Sequence, residues 1–282
     1  MSINYTIERD EVTIKTYIRQ HLGISARAMT KLKQGGIFLN GEIAFVTKTM
    51  RKGDVLTLVP DTTVKKEYEK EDIPIDILFE DDNFLVIDKK PYMAVYPAGE
   101  HISGSLLNAV AFMRKDITFR PIYRLDRNTS GVIVIAKNKI SASTKVTKKE
   151  YLAVCEGVAP ESGEINSPIC LAEGSRIKRD VGAGQEAKTN FWRLCHNDSH
   201  SLLKVRIHTG RTHQIRVHLS SINLPIAGDD LYGGSTEYIK RQALHCHKIC
   251  LENKALNFEK QIISEIKDDI RGSFHQLFEK EI

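Results

Sequence analysis

Arg124-Leu125-Asp126-Arg127-Asn128-Thr129-Ser130-Gly131 runs straight into Val132-Ile133-Val134-Ile135-Ala136. A polar stretch rich in hydrogen-bond formers thus ends at a β-branched run of strand length. The pattern predicts a loop that presents its side chains at the edge of a buried strand. Asp126 lies between two arginines in sequence, and nearby opposite charge favours an ionised carboxylate. Such a group in a pocket serves as a nucleophile or a base at a sugar carbon. An ordinary surface ion pair fits the same residues.

Working outward, further strands are predicted at Phe84 to Asp88, Tyr151 to Gly157, Leu202 to Ile207 and Ala243 to Leu251, with a helix over Leu106 to Met113. Strands and helices do not follow the strict βαβ order of a parallel sheet. The expected class is therefore α+β with a mixed, largely antiparallel sheet. Within Lys149-Glu150-Tyr151-Leu152-Ala153, pattern alone makes Tyr151 a core or edge tyrosine. The segment Asn257 to Ile282 is charged and helix-prone.

Two histidine-rich stretches invite a metal reading. In Ile207-His208-Thr209-Gly210-Arg211-Thr212-His213-Gln214-Ile215-Arg216-Val217-His218, a helix is expected from Thr212 to Ser220. Arg211, Thr212, His213 and Gln214 would then surround its N-terminus, where backbone N–H groups favour anions. The histidines repeat every five residues, about 140° apart on a helix, which is poor for one shared ion. In His245-Cys246-His247-Lys248-Ile249-Cys250, alternation on a strand puts His245 and His247 on one face and Cys246 and Cys250 on the other. A tetrahedral zinc site is not expected from one such segment, and no metal site is expected elsewhere.

Residues 12–59 read as a small module. Ile14, Tyr17, Ile18 and Leu22 recur at helical spacing, Ser25 caps a second helix carrying Met29 and Leu32, and Asn40-Gly41 marks a hairpin. Lys15, Arg19, Arg27, Lys31 and Lys33 occupy the outward positions of the helices. That face suits an RNA backbone, and equally a face kept soluble by charge. Residues 61–72 read as a charged linker. The expected organisation is a small αα-β domain over 1–60, the linker 61–72 and a catalytic body over 73–282.

The 282 residues carry 41 basic and 36 acidic side chains, and their distribution is uneven. Residues 1–60 hold 9 basic against 5 acidic, 61–82 hold 3 against 9, and 83–282 hold 29 against 22. Two basic bodies flanking an acidic connector point to a polyanionic partner. No stretch approaches the ~20 apolar residues of a membrane span, and the first ten residues lack an apolar signal core. The five cysteines form no C-x-x-C pair, which suits a reducing cytoplasm. No heptad pattern is present, so a monomer is expected. Phosphate loops, dinucleotide fingerprints and the serine-hydrolase elbow are all missing, which removes the usual signals of those chemistries.

Taken together, these segments resemble the RluA-type branch of the pseudouridine synthases. The family loop R-L-D-x-x-T-S-G is met by Arg124, Leu125, Asp126, Thr129, Ser130 and Gly131. Its K-x-Y-x-A pattern is met by Lys149, Tyr151 and Ala153, and T-G-R-x-H-Q-I-R-x-H by Thr209 to His218. The following P-I-x-G-D-x-x-Y-G is met by Pro225, Ile226, Gly228, Asp229, Tyr232 and Gly233, and Leu244-His245 resembles a late L-H strand. The N-terminal module resembles the ribosomal-protein-S-four-like RNA-binding domain that many of these enzymes carry.

The resemblance implies a cofactor-free isomerisation of uridine to pseudouridine in structured RNA, with ribosomal RNA of the large subunit the first expectation and transfer RNA the alternative. It implies that Asp126 acts at the sugar, that Arg216 pairs with it and that Tyr151 packs on the target base. Arg124 would hold the flipped nucleotide out, and Leu244 would lie below the base. Arg211 and His213, with Lys15, Arg27, Lys31 and Lys33 of the small module, complete the expected RNA contacts. The family pattern departs at Tyr123, where many relatives have His, and in the charged C-terminal segment. A binding-only assembly factor with the same fold is the competing reading; a nucleoside glycosidase would need a second carboxylate that the matched motifs lack.

Overall fold

The computed structural model describes residues 2–60, 68–97, 103–114 and 118–279. Most of the expected linker, residues 61–67, lies outside the described residues.

The apolar run at 132–136 becomes the strand Ser130–Ala136, buried along its whole length. It pairs antiparallel with Phe84–Lys89, where Phe84 to Ile87 are fully buried. Strands covered on both faces carry no polar alternation, which is why both segments read as continuous apolar runs. They sit in a nine-stranded sheet ordered Ser162–Asn166, Lys188–His196, His200–Ile207, Lys145–Glu156, Leu244–Asn253, Ser130–Ala136, Phe84–Lys89, Asp76–Glu80, with Phe258–Ile263 also paired to Leu244–Asn253. Neighbours are antiparallel except at one join, where Leu244–Asn253 meets Ser130–Ala136 in parallel through His245 with Ser130 and Cys246 with Gly131. The class is mixed α+β with a mostly antiparallel sheet.

That parallel join needs a glycine. Gly131 has φ +109, and a Cβ there would stand 2.3 Å from the Cys246 carbonyl oxygen. No other residue allows two backbones to approach so closely in that conformation.

Several boundaries differ from expectation. The strand expected from Tyr151 begins six residues earlier, at Lys145, because its first half pairs with Leu244–Asn253. Phe258–Ile263 is a strand rather than helix, since the edge of Leu244–Asn253 left open beyond Cys246 pairs with it from Lys248 to Asn253. Helices follow at Asp268–Ser273 and His275–Phe278, where Ile270, Leu277 and Phe278 bury themselves in the main core. The predicted helix Leu106–Met113 is present and opens on a capping box between Ser105 and Asn108.

In the small module, Ile3–Thr6, Val55–Leu58, Ile37–Leu39 and Glu42–Ile43 form a four-stranded sheet. Asn40 (φ 52) and Gly41 (φ 86) make the tight hairpin turn. Ser25 caps Ala26–Leu32 through the Ala28 N–H. The first expected helix is instead one short α-turn, Ile14–Thr16, running into a π-helical turn, Tyr17–His21. Lys15, Arg19, Arg27 and Lys33 are exposed and Lys31 is half-buried.

This module has its own core, from Ile7, Ile14, Ile18, Leu32 and Leu56 among others, and that core also takes in Ile140 and Ala255. Tyr5 Oη donates to the Ala255 carbonyl at 2.5 Å. Asn253 fastens the two supporting turns together, its Nδ2 donating to Ile140 O and Thr144 Oγ1. The small module therefore sits on a built platform of the large sheet.

Candidate active site

Three neighbouring strands at the middle of the sheet deliver the residues singled out above. Asp126 lies in the loop before Ser130–Ala136, Leu244 opens the middle strand Leu244–Asn253, and Tyr151 lies on Lys145–Glu156 at its other side. Side chains alternate along a strand, so Lys149, Tyr151 and, across the ladder from Tyr151, Val205 share one face. A cleft of about 470 Å³ opens over that face. Arg124, Asp126, Tyr151, Arg211, His213, Arg216 and Leu244 all line it. Residues as far apart in the chain as Arg124 and Leu244 thus meet in one concavity, with Arg124 exposed at its rim and Leu244 and Tyr151 buried in its floor.

The helix Gln214–Ser221 supplies Arg216, which is buried. Its Nη1 donates to Asp126 Oδ2 at 3.3 Å, while Nε and Nη2 donate to Asp229 Oδ2 and Oδ1 at 2.6 and 2.7 Å. Two-point pairing with Asp229 fixes the guanidinium plane. The Tyr232 ring lies 5.0 Å from the guanidinium carbon. Only the remaining edge faces Asp126.

The helix starts at Gln214, two residues later than expected, because His213 adopts a left-handed conformation with φ 56. A non-glycine residue there is strained. Tyr232 offsets that strain: its hydroxyl accepts the Arg179 N–H at 2.8 Å and lies 3.0 Å from His213 Nδ1. The other ring nitrogen, Nε2, stands 3.9 Å from Asp126 Oδ2. Burial lowers the His213 pKa, opposed by the Asp126 charge. Arg211 donates its backbone N–H to Gln214 Oε1 at the helix start and its Nε to the Glu186 carbonyl.

Burial also pushes the Tyr151 phenol well above its ordinary pKa, with the charges of Cys246 and Asp126 adding to the effect. The phenol therefore stays neutral. Opposite Tyr151 the ladder slips, Glu150 pairing with Lys248 but Leu152 with His245. The bulge breaks the alternation of this strand. Cys246 lies against Tyr151, whereas Cys250 pairs with Lys148 on the other face. The two cysteines therefore do not share a side as alternation predicts.

The clustered histidines also separate. His208 Nε2 meets Asn190 Oδ1, and His218 is fully buried between Thr189 Oγ1 and the Ser167 carbonyl. His245 bridges Ser130 Oγ at 3.0 Å and the Ser264 carbonyl at 3.1 Å. Among the described residues no three His, Cys, Asp or Glu side chains are grouped to hold a metal.

Two buried cations escaped the sequence reading. Lys89 Nζ donates to the carbonyls of Lys90 (2.8 Å), Met93 (2.9 Å) and Arg127 (3.0 Å). Arg241 pairs with Asp269 at 2.6 and 2.7 Å and donates from Nη1 to the Asn128 carbonyl at 3.2 Å. Successive carbonyls just after Asp126 are thus each held by a buried cation. Burial, and then the Arg241 charge, bring the Lys89 pKa down to about 7. The only local signal for Lys89 is its place at the end of an apolar strand; Arg241 carries none. Asp229 and Tyr232 lie within a matched motif, but no role was legible for them.

The family model described as RNA pseudouridylate synthase matches residues 83–221. The chain is 37% identical to the uncharacterized RNA pseudouridine synthase YjbO of Bacillus subtilis (strain 168), an alignment that covers 94% of this chain and 100% of the relative. It is 33% identical to ribosomal large subunit pseudouridine synthase D of Xanthomonas campestris pv. campestris, covering 77% and 74% of the two chains. In fold it is similar to human RNA pseudouridylate synthase domain containing 1, with a TM-score of 0.59 at 21% identity over 74% of this chain and 94% of that one. With the cleft assembled from all the matched motifs, the chain belongs to the RNA pseudouridylate synthases of the RluA type, isomerases that convert uridine in RNA to pseudouridine.

Proposed function

We propose that this enzyme modifies uridines of large-subunit ribosomal RNA, with Asp126 as the group that acts at the sugar. The single observation behind the role of Asp126 is its place in the cleft: a carboxylate facing one free edge of Arg216, whose other edge is occupied by Asp229. The ribosomal target is supported by relatives named for the large subunit. Transfer RNA is the alternative.

In this reading a uridine is drawn from its stack into the cleft, at a cost of a few kcal/mol. The N1–C1′ bond breaks, the base turns, and C5 joins C1′; C5 loses a proton and N1 gains one, so the reaction is balanced without a cofactor. Asp126 acts either as nucleophile at C1′ or as base at a sugar C–H, and both need its carboxylate ionised beside Arg216. Tyr151 packs on the base, with a phenol that burial keeps protonated. Leu244 closes the apolar side. Arg124 occupies the rim from which the base has left, and Arg211 and His213 flank the entrance.

The module at 1–60 acts as a second RNA contact through Lys15, Arg27, Lys31 and Lys33, and removing it weakens binding and its salt dependence more than the chemistry. The deciding experiment maps pseudouridine across total RNA from cells with the wild-type protein, without it, and with Asp126→Asn. Identical sites lost in both altered strains establish target and residue together. Retention in Asp126→Asn of sites lost in the deletion strain overturns the role of Asp126. Loss of no site, followed by inactivity of the purified protein on transcripts, favours a binding-only factor.

A further inference from the structure

A second cavity, also about 470 Å³, abuts the catalytic cleft and shares Tyr123, Lys149, Ile207 and Gly210 with it. Its remaining walls carry Thr147, Lys148, Arg206 and His208, among others. The cations around both cavities are held, except Arg124, which is exposed to solvent at the rim, and Lys149. Lys148 and Arg206 both pair with Glu150, at 3.1 and 2.7 Å. Arg216 pairs with Asp126 and Asp229. Among the described residues Lys149 has no carboxylate within ion-pair distance and its ammonium group makes no hydrogen bond. It is half-buried, with Nζ 3.5 Å from the centre of the Tyr123 ring.

A half-buried ammonium at the wall between two hollows calls for an anion, because desolvation without a partner is costly. Burial already lowers its pKa to about 8, so at neutral pH it is still mostly charged. The substrate of this enzyme supplies such an anion by its covalent structure. A uridine extruded into the cleft stays joined to its neighbours by phosphodiesters, and one of these must leave the cleft beside a wall. We propose that the second cavity receives the nucleotide adjacent to the target uridine, and that Lys149 binds the phosphodiester linking the two. The aromatic face of Tyr123 holds the ammonium on the shared wall, while Lys148 and Arg206, tied to Glu150, shape the outer cavity. Recognition of a neighbouring nucleotide is a source of sequence preference beyond the uridine itself. The proposal rests on the enzyme acting on RNA.

The test uses purified full-length enzyme and a transcript that it demonstrably modifies, so failure of the underlying reading shows first, as absence of turnover on the natural RNA. Methylphosphonate is then placed at either phosphate flanking the target uridine. With wild-type enzyme, one of the two neutral linkages lowers kcat/KM by about tenfold, the scale of one charge-assisted hydrogen bond. Lys149→Met loses the same factor on natural RNA and is indifferent to that methylphosphonate. Its binding also depends less on salt, by about 0.7 in the log–log slope. An abasic neighbour on the same side costs wild type activity, whereas Thr147→Phe, which fills the cavity, no longer distinguishes it. Additive losses in Lys149→Met overturn the proposal. If that variant does not fold, the wild-type arm still decides, because two harmless methylphosphonates overturn it.

Discussion

Arg216 and Asp229 form a buried ion pair at two points, Nε to Oδ2 at 2.6 Å and Nη2 to Oδ1 at 2.7 Å, with Asp229 almost fully enclosed. The pair leaves a single guanidinium nitrogen for Asp126. The cleft thus holds a chain of carboxylate, arginine and carboxylate, in which Asp126 and Arg216 line the hollow and Asp229 lies behind them.

Asp229→Asn should disturb that chain. The amide keeps its shape but loses the charge that holds Arg216, and breaking a buried pair costs on the order of 3 kcal/mol. A small misplacement of Arg216 is expected to lower kcat about 100-fold, with far less change in KM for RNA. Thermal unfolding and single-turnover rates measured on the same preparation separate the two effects.

The loop behind Asp126 tests a different support. Lys89→Met removes the donor to three carbonyls, including that of Arg127. Leaving buried acceptors unpaired costs on the order of 3 kcal/mol in all. Arg241→Met leaves Asp269 unpaired and the Asn128 carbonyl without its donor. Both substitutions should lower kcat, and their combined effect should be less than additive because they hold adjacent peptides.

Gly131→Ala is expected to prevent folding or to destabilise the enzyme by more than about 3 kcal/mol. The methyl group would meet the Cys246 backbone from 2.3 Å, in a conformation that L side chains rarely adopt. Soluble yield and urea unfolding provide the measurement. Normal stability would mean that the parallel join tolerates separation.

His245 gives the pH dependence of the same join. Burial brings its pKa down to about 4, against about 6.5 in an unfolded chain. Between these values the unfolded chain binds a proton that the folded one does not. The neutral ring thus contributes fully above pH 6.5, and the contribution is lost as pH falls toward 4, on the order of 3 kcal/mol in all. His245→Gln should flatten the fall in stability across that window; an unchanged slope assigns it to other groups.

Ile140→Ala probes the platform under the small module. Ile140 is fully buried within that module's core although it belongs to the turn after Ser130–Ala136. The cavity should cost about 3 kcal/mol. Hydrogen exchange should then accelerate in residues 14–32, more than 100 positions away in the chain, while the central strands stay protected.

What the sequence determined by itself is the set of elements with strong local causes. Continuous apolar runs at 84–87 and 132–136 give doubly covered strands, Asn40-Gly41 gives its hairpin, Ser25 gives its cap, and the ordered motifs give the family and the residues gathered in the cleft. Tertiary structure alone decided the rest. The left-handed His213 depends on Tyr232, the bulge opposite Tyr151 depends on pairing across strands, and the strand Phe258–Ile263 depends on an edge left open for it. Lys89, Arg241 and Asp229 look in sequence like any charged side chain. They acquire their places only when carbonyls and partners from distant segments converge on them, because a charge is buried only where the folded chain supplies its counterpart.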